Sequence, residues 1–123
     1  MANEGLLLKC KLCGSIMEKV FGSETGQSDD FELLEIKHDG EGAAKHVPII
    51  KRDGDNVIIK VGEITHPSEN EHYIGFIELL DGDTTYRKNL KPGEEPEAVF
   101  KVDTEINKLK AREYCTVHGL WES

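Results

Sequence analysis

Val47-Pro48-Ile49-Ile50-Lys51-Arg52-Asp53-Gly54-Asp55-Asn56-Val57-Ile58-Ile59-Lys60-Val61 is the stretch that decides the fold. Two runs rich in β-branched residues flank Asp53-Gly54-Asp55, and this pattern predicts a hairpin. It returns downstream, where Tyr73 to Leu80 and Thr84 to Leu90 flank Asp81-Gly82-Asp83. Tyr73, Phe76 and Tyr86 suit half-buried pleated surfaces. Lys91 to Pro96 reads as a loop, Glu97 to Val102 as a further strand, and Lys110 to Val117 as the last one. Asp103 to Leu109 reads as either a loop or a short helical turn. Six or so short strands with regularly spaced turns predict an all-β chain, a sandwich of the immunoglobulin-like kind.

Toward the N-terminus the pattern changes. His38 to Ala44 is glycine-rich and polar and reads as a linker, dividing the chain into a small lobe, 1–37, and a main domain, 38–123. Within the lobe, Phe31 to Lys37 suits a short strand. Cys10-Lys11-Leu12-Cys13-Gly14 reads as a knuckle, two thiolates converging on a metal while the glycine relaxes the turn. A closed site needs four ligands, and Gly22 to Asp30 supplies no cysteine.

The charge balance narrows the function. Fifteen Lys and Arg against 24 acids leave −9 over 123 residues, which argues against nucleic acid and anionic membrane as partners. An anionic substrate would need a local cationic group. The first ten residues lack a signal-peptide pattern, and no apolar run approaches the roughly 20 residues of a membrane span. The cytoplasm is the expected compartment. There, three cysteines read as metal ligands or spare thiols rather than disulfides.

Lys110-Ala111-Arg112-Glu113-Tyr114-Cys115-Thr116-Val117-His118-Gly119-Leu120-Trp121 carries a cysteine and a histidine three positions apart. Side chains so spaced on a regular strand face opposite sides, so both reach one atom only if the chain turns, as Gly119 permits. Thiolate with imidazole suits zinc, copper or iron. His38 reads as a solvated linker residue. His46, His66, His72 and His118 flank predicted strands, so sandwich topology can gather them with Cys115 at one end. Four ligands normally suffice for zinc. Five leave an open position on an octahedral metal and tilt the choice to iron.

At this point the chain resembles the superoxide reductases, including desulfoferrodoxin and neelaredoxin. The resemblance rests on Ala44-Lys45-His46-Val47-Pro48, Val61 to Pro67, His72-Tyr73-Ile74, Tyr86 to Glu94 and Lys110 to Trp121. It implies an immunoglobulin-like sandwich with one mononuclear iron, held equatorially by His46, His66, His72 and His118 and axially by Cys115. It further implies one-electron reduction of superoxide to hydrogen peroxide, a rubredoxin-like electron donor and a homodimer. Lys45 matches the family's cationic residue beside the iron.

Two departures stand out. Many members carry a glutamate where this chain has Ala44, so the sixth ligand of the oxidised metal is not that carboxylate. Glu41 lies nearby in the sequence. The lobe resembles desulforedoxin, with Cys10 and Cys13 matching the first cysteine pair, but Asp29-Asp30 stands where the second belongs. Two hard carboxylates weaken a soft site, so the lobe is expected to be degenerate and to lack a second iron. Alternative readings are a non-catalytic electron-transfer or iron-sensing module with the same site, and a structural zinc sandwich.

Overall fold

The computed structural model describes residues 6–22 and 29–123. Residues 1–5 of the N-terminal stretch and 23–28 of the polar stretch lie outside the described residues. The chain divides into two compact units, 1–35 and 36–123.

The first unit is a three-stranded antiparallel sheet in the order β2-β1-β3, formed by β1 (Leu7–Cys10), β2 (Ile16–Glu18) and β3 (Phe31–Leu33). The Cys-x-x-Cys-Gly stretch is the turn between β1 and β2. Gly14 N–H donates to the Cys10 carbonyl at 2.8 Å, and Gly14 adopts φ 77°, which favours glycine.

The second unit is a two-sheet sandwich. One sheet has the order β4-β11-β10-β7-β8, the other β5-β6-β9. Their strands are β4 (Ile36–Lys37), β5 (Pro48–Asp53), β6 (Asn56–Val61), β7 (Ile74–Asp81), β8 (Thr84–Asn89), β9 (Glu97–Lys101), β10 (Lys110–Cys115) and β11 (Gly119–Glu122). Both predicted hairpins form, with Asp53 paired to Asn56 and Asp81 to Thr84. Gly54 (φ 62°) and Gly82 (φ 61°) take the left-handed conformation in these turns. The core lies between the sheets: Val57, Ile59 and Val61 of β6 pack with Ile74, Ile77 and Leu79 of β7, Ala98 of β9, and Ala111 and Cys115 of β10. On the other face of β7, the carboxylate of Glu78 is wholly buried but ion-paired to Arg112 and Arg87, as a buried charge must be.

Several details differ from the sequence reading. Lys110 to Val117 is not the last strand. The chain turns at Thr116–His118 and returns as β11, because Gly119 (φ 87°) permits a tight hairpin and Cys115 pairs with Gly119. Phe31 to Lys37 is broken into β3 and β4, and β4 runs parallel to β11. The end of the predicted linker is a short helix, α1 (Ala43–His46), started by Gly42 in the left-handed conformation. The ambiguous stretch contains a 3-10 turn, Ile106–Lys108. No helix among the described residues is long and apolar enough to cross a membrane.

Candidate metal centre

Four side chains converge at one end of the sandwich. The candidate ligand atoms of His46, His66, His72 and Cys115 all lie within 4.8 Å of one another. His118 completes a closed circuit of imidazoles. Ring centroids are 4.7 Å apart for His46–His66, 4.7 Å for His66–His72, 5.0 Å for His72–His118 and 4.9 Å for His118–His46. Each neighbouring pair is steeply inclined, by 63° to 86°. Cys115 Sγ lies 3.4 Å from His66 Nε2 and 3.8 Å from His118 Nδ1.

Local structure explains each placement. His46 ends α1, whose backbone lies against Gly62: a Cβ there would fall 2.6 Å from the Lys45 carbonyl carbon. Ile64 N–H donates to the Ala44 carbonyl at 3.0 Å, tying the His66 loop to the same helix. Reciprocal hydrogen bonds between Glu69 and His72, 3.0 and 3.1 Å, close the loop that presents His72. A bulge between Tyr114 and Cys115 turns the end of β10. There the His118 N–H donates to Cys115 Sγ at 3.4 Å.

Hydrogen bonding also sets the histidine tautomers. His46 Nδ1 lies 2.9 Å from the Gly42 carbonyl and His66 Nδ1 2.7 Å from the Pro67 carbonyl. A carbonyl only accepts, so both Nδ1 atoms carry the proton and both Nε2 atoms are lone pairs. Those Nε2 atoms are 3.2 Å apart. Two acceptors at that separation repel, and a cation between them turns repulsion into attraction. Ligands about 2.1 Å from a metal on adjacent corners would stand about 3 Å apart. His72 Nε2 is buried without a hydrogen-bond partner at the same centre. Burial pulls the His66 imidazole down to about 4 and lowers His46 as well, which keeps both rings neutral. Burial pushes the Cys115 thiol up, against the N–H groups of His118 and Val117 that favour the thiolate. A metal cation shifts that balance to the thiolate. The residues fit a mixed N and S metal site.

The centre is asymmetric. His46, His66 and Cys115 are almost inaccessible, with 3, 2 and 0% exposure, whereas His118 is exposed. Lys45, on α1 immediately before His46, is exposed as well. Ala44 and Glu41 are also exposed, and Ala44 offers no carboxylate. His38 stays outside the circuit, 3.9 Å from Glu122.

Two residues join the site unannounced. Trp121 stacks on His46 at 4.8 Å and 18°, and its Nε1 donates to the His118 carbonyl at 3.2 Å. Lys37 Nζ donates to the same carbonyl at 2.9 Å and lies 5.5 Å from the Trp121 ring centroid. The parallel pairing of β4 with β11 puts Lys37 there, across 81 positions of sequence. No local signal marks such a contact. Elsewhere among the described residues, no other group of three or more His, Cys, Asp or Glu side chains converges as a metal site would require. Cys10 is buried and Cys13 exposed in the first unit, with Cys13 Sγ 3.1 Å from Ser15 Oγ.

Comparison with known proteins agrees with this geometry. Residues 38–123 match the family model described as desulfoferrodoxin. A desulfoferrodoxin homolog of Archaeoglobus fulgidus is 45% identical over 119 residues, covering 94% of this chain and 93% of that protein. A superoxide reductase of Pyrococcus horikoshii is 41% identical, covering 64% of this chain and 84% of its own. Among solved structures, the superoxide reductase from Treponema pallidum superposes with a TM-score of 0.77 at 25% identity, covering 100% of this chain and 99% of that one.

Proposed function

We propose that this chain, which belongs to the desulfoferrodoxin family, is a superoxide reductase whose iron is held by His46, His66, His72, His118 and Cys115. The observation that carries this reading is the circuit of four imidazoles beside a buried thiol, with two lone pairs 3.2 Å apart. When bound, the iron supplies the one electron that superoxide takes up, and a thiolate ligand makes it electron-rich.

The protein's own groups do the rest. The Gly42 and Pro67 carbonyls lock the tautomers of His46 and His66, so both present Nε2 without a rearrangement. Trp121 covers one face of His46 and limits water on that side. Lys45 is the group proposed to attract the superoxide anion and orient the reduced product for protonation. On a chain of net charge −9, one ammonium beside the opening offsets long-range repulsion of an anion. Exposure on the His118 side lets solvent supply the two protons that complete hydrogen peroxide.

Three wider assignments belong to this reading. The electron donor is a rubredoxin-like protein, and the exposed Val117, between two proposed ligands, offers it an apolar landing point. The chain forms a homodimer through its lobe, which exposes Leu12, Val20 and Phe21. The compartment is the cytoplasm, in keeping with three free cysteines. Residues 1–35 are a degenerate desulforedoxin-like lobe, and residues 36–123, which include β4, are the catalytic domain. Lys11 N–H donates to the Asp30 carbonyl at 2.8 Å, which brings the Asp29-Asp30 segment to the knuckle. Hard carboxylates there leave the lobe without a second iron.

The test is a superoxide pulse delivered to the reduced, iron-loaded protein. Full oxidation with one hydrogen peroxide formed per superoxide, and no dioxygen, is expected. Dioxygen release in a dismutation ratio would overturn the reading. Oxidation far slower than encounter would point to an electron carrier or sensor instead.

A further inference from the structure

The first unit holds two cysteines that the iron centre does not use. The chain has three, and the third is Cys115. We infer that Cys10 and Cys13 form a peroxide-oxidisable dithiol, which closes to a disulfide when hydrogen peroxide reaches it.

Geometry carries the inference. Cys10 N–H donates to the Ser15 carbonyl at 2.9 Å and Gly14 N–H to the Cys10 carbonyl at 2.8 Å, so one tight turn holds both residues. Such a turn holds the Cα atoms of residues three apart within about 7 Å, the reach of a disulfide, so the bond needs little chain rearrangement. The two have unlike surroundings. Cys13 is exposed beside the Ser15 hydroxyl at 3.1 Å, whereas Cys10 is 8% exposed. Hydrogen bonds from Ser15 and Cys10 favour the Cys13 thiolate, the nucleophilic form. Cys13 is the attacking sulfur and Cys10 the resolving one. Asp30 meets this turn through its backbone carbonyl, which accepts from Lys11 N–H at 2.8 Å, and carboxylates are poor partners for soft sulfur.

The steps balance. The Cys13 thiolate attacks one peroxide oxygen; the O–O bond breaks, hydroxide leaves and takes a proton as water, and Cys13 becomes a sulfenic acid. The Cys10 sulfur then attacks Cys13. The S–S bond forms, the S–O bond breaks, and a second water leaves. Two electrons pass from sulfur to peroxide, and a cellular dithiol reverses the bond by exchange. The oxidant as a physiological signal rests on the proposed superoxide reduction, which releases peroxide from the same chain.

The experiment adds peroxide directly, so it does not depend on that activity. The full-length, iron-loaded, reduced protein receives one equivalent of hydrogen peroxide without air and is then alkylated and digested. The expected result is loss of both alkylatable thiols from the peptide holding Cys10 and Cys13, which carries a disulfide that excess dithiothreitol reopens. Cys10→Ser should stop at a sulfenic acid on Cys13, trapped by a dione reagent, while Cys13→Ser leaves Cys10 alkylatable. Both thiols remaining alkylatable in the wild type would overturn the inference. So would zinc copurifying in stoichiometric amount on this pair and blocking oxidation. A parallel sample receives superoxide and reductant. A disulfide with added peroxide but none with superoxide would uphold the dithiol and count against the reductase reading.

Discussion

The molecule contains two turns of nearly the same design. Cys10-Lys11-Leu12-Cys13-Gly14 and Cys115-Thr116-Val117-His118-Gly119 each place two soft donors three positions apart and end on a left-handed glycine, φ 77° and 87°. Each leaves one donor buried and the other exposed: Cys10 against Cys13, Cys115 against His118. Their fates differ because of what reaches them. His46 and His66, from α1 and the loop after β6, and His72, from a loop closed by Glu69, arrive at the second turn with nitrogens directed inward. The first turn receives the backbone carbonyl of Asp30. A binding turn supplies half a site, and the rest of the fold determines whether it becomes a centre or a reactive pair of thiols.

The largest effect should come from removing the shared thiolate. Cys115→Ser should abolish the thiolate-to-metal charge-transfer colour of the oxidised protein and reduce superoxide turnover to background, while leaving the sandwich folded by far-ultraviolet dichroism. A coloured, active variant would refute ligation by Cys115. The reverse manipulation supplies the other turn: joint replacement Asp29→Cys and Asp30→Cys should add a second iron to the lobe, visible as a new visible-region spectrum and a doubled metal count. An unchanged count would show that more than ligand chemistry disables that turn.

Third is Gly62→Ala. Its backbone, φ 81°, and the overlap with the Lys45 carbonyl should cost about 1–3 kcal/mol from conformational strain alone, measured by urea unfolding. Iron affinity should fall with it, because α1 carries His46. Acid should have a graded effect on metal-free protein. The His66 imidazole is held at about 4 in the fold against about 6.5 in an unfolded chain. The unfolded state therefore binds more protons between those values, so stability is full above about pH 6.5 and declines toward pH 4. Denaturant midpoints independent of pH across that window would contradict a buried, neutral ring. The smallest effect expected is that of Lys37→Gln. Loss of the cation over Trp121 is worth about 0.5–1 kcal/mol. Removing a positive charge beside the His118 carbonyl should lower the reduction potential of the centre, by voltammetry, without releasing the metal.

What the sequence by itself determined is local. Alternating β-branched runs around Asp-Gly-Asp specify the hairpins β5–β6 and β7–β8, because strand periodicity and turn conformation depend on neighbouring residues. The same locality made Cys115 and His118 readable as a pair, and the histidine positions, with the family resemblance, named the remaining proposed ligands. It misled at the chain's end: Gly119, already seen to allow a turn, starts β11 rather than closing the molecule. Only the tertiary structure decided which groups surround the centre. His46 meets His66 across 20 positions, Cys115 meets His66 across 49, and Lys37 reaches His118 across 81. Those contacts, the locked tautomers and the stacking of Trp121 arise from sheet order and loop packing. The outcome at Cys115 follows from the same cause: one cysteine in a turn can bind, but three histidine-bearing segments brought together by the sandwich make the site.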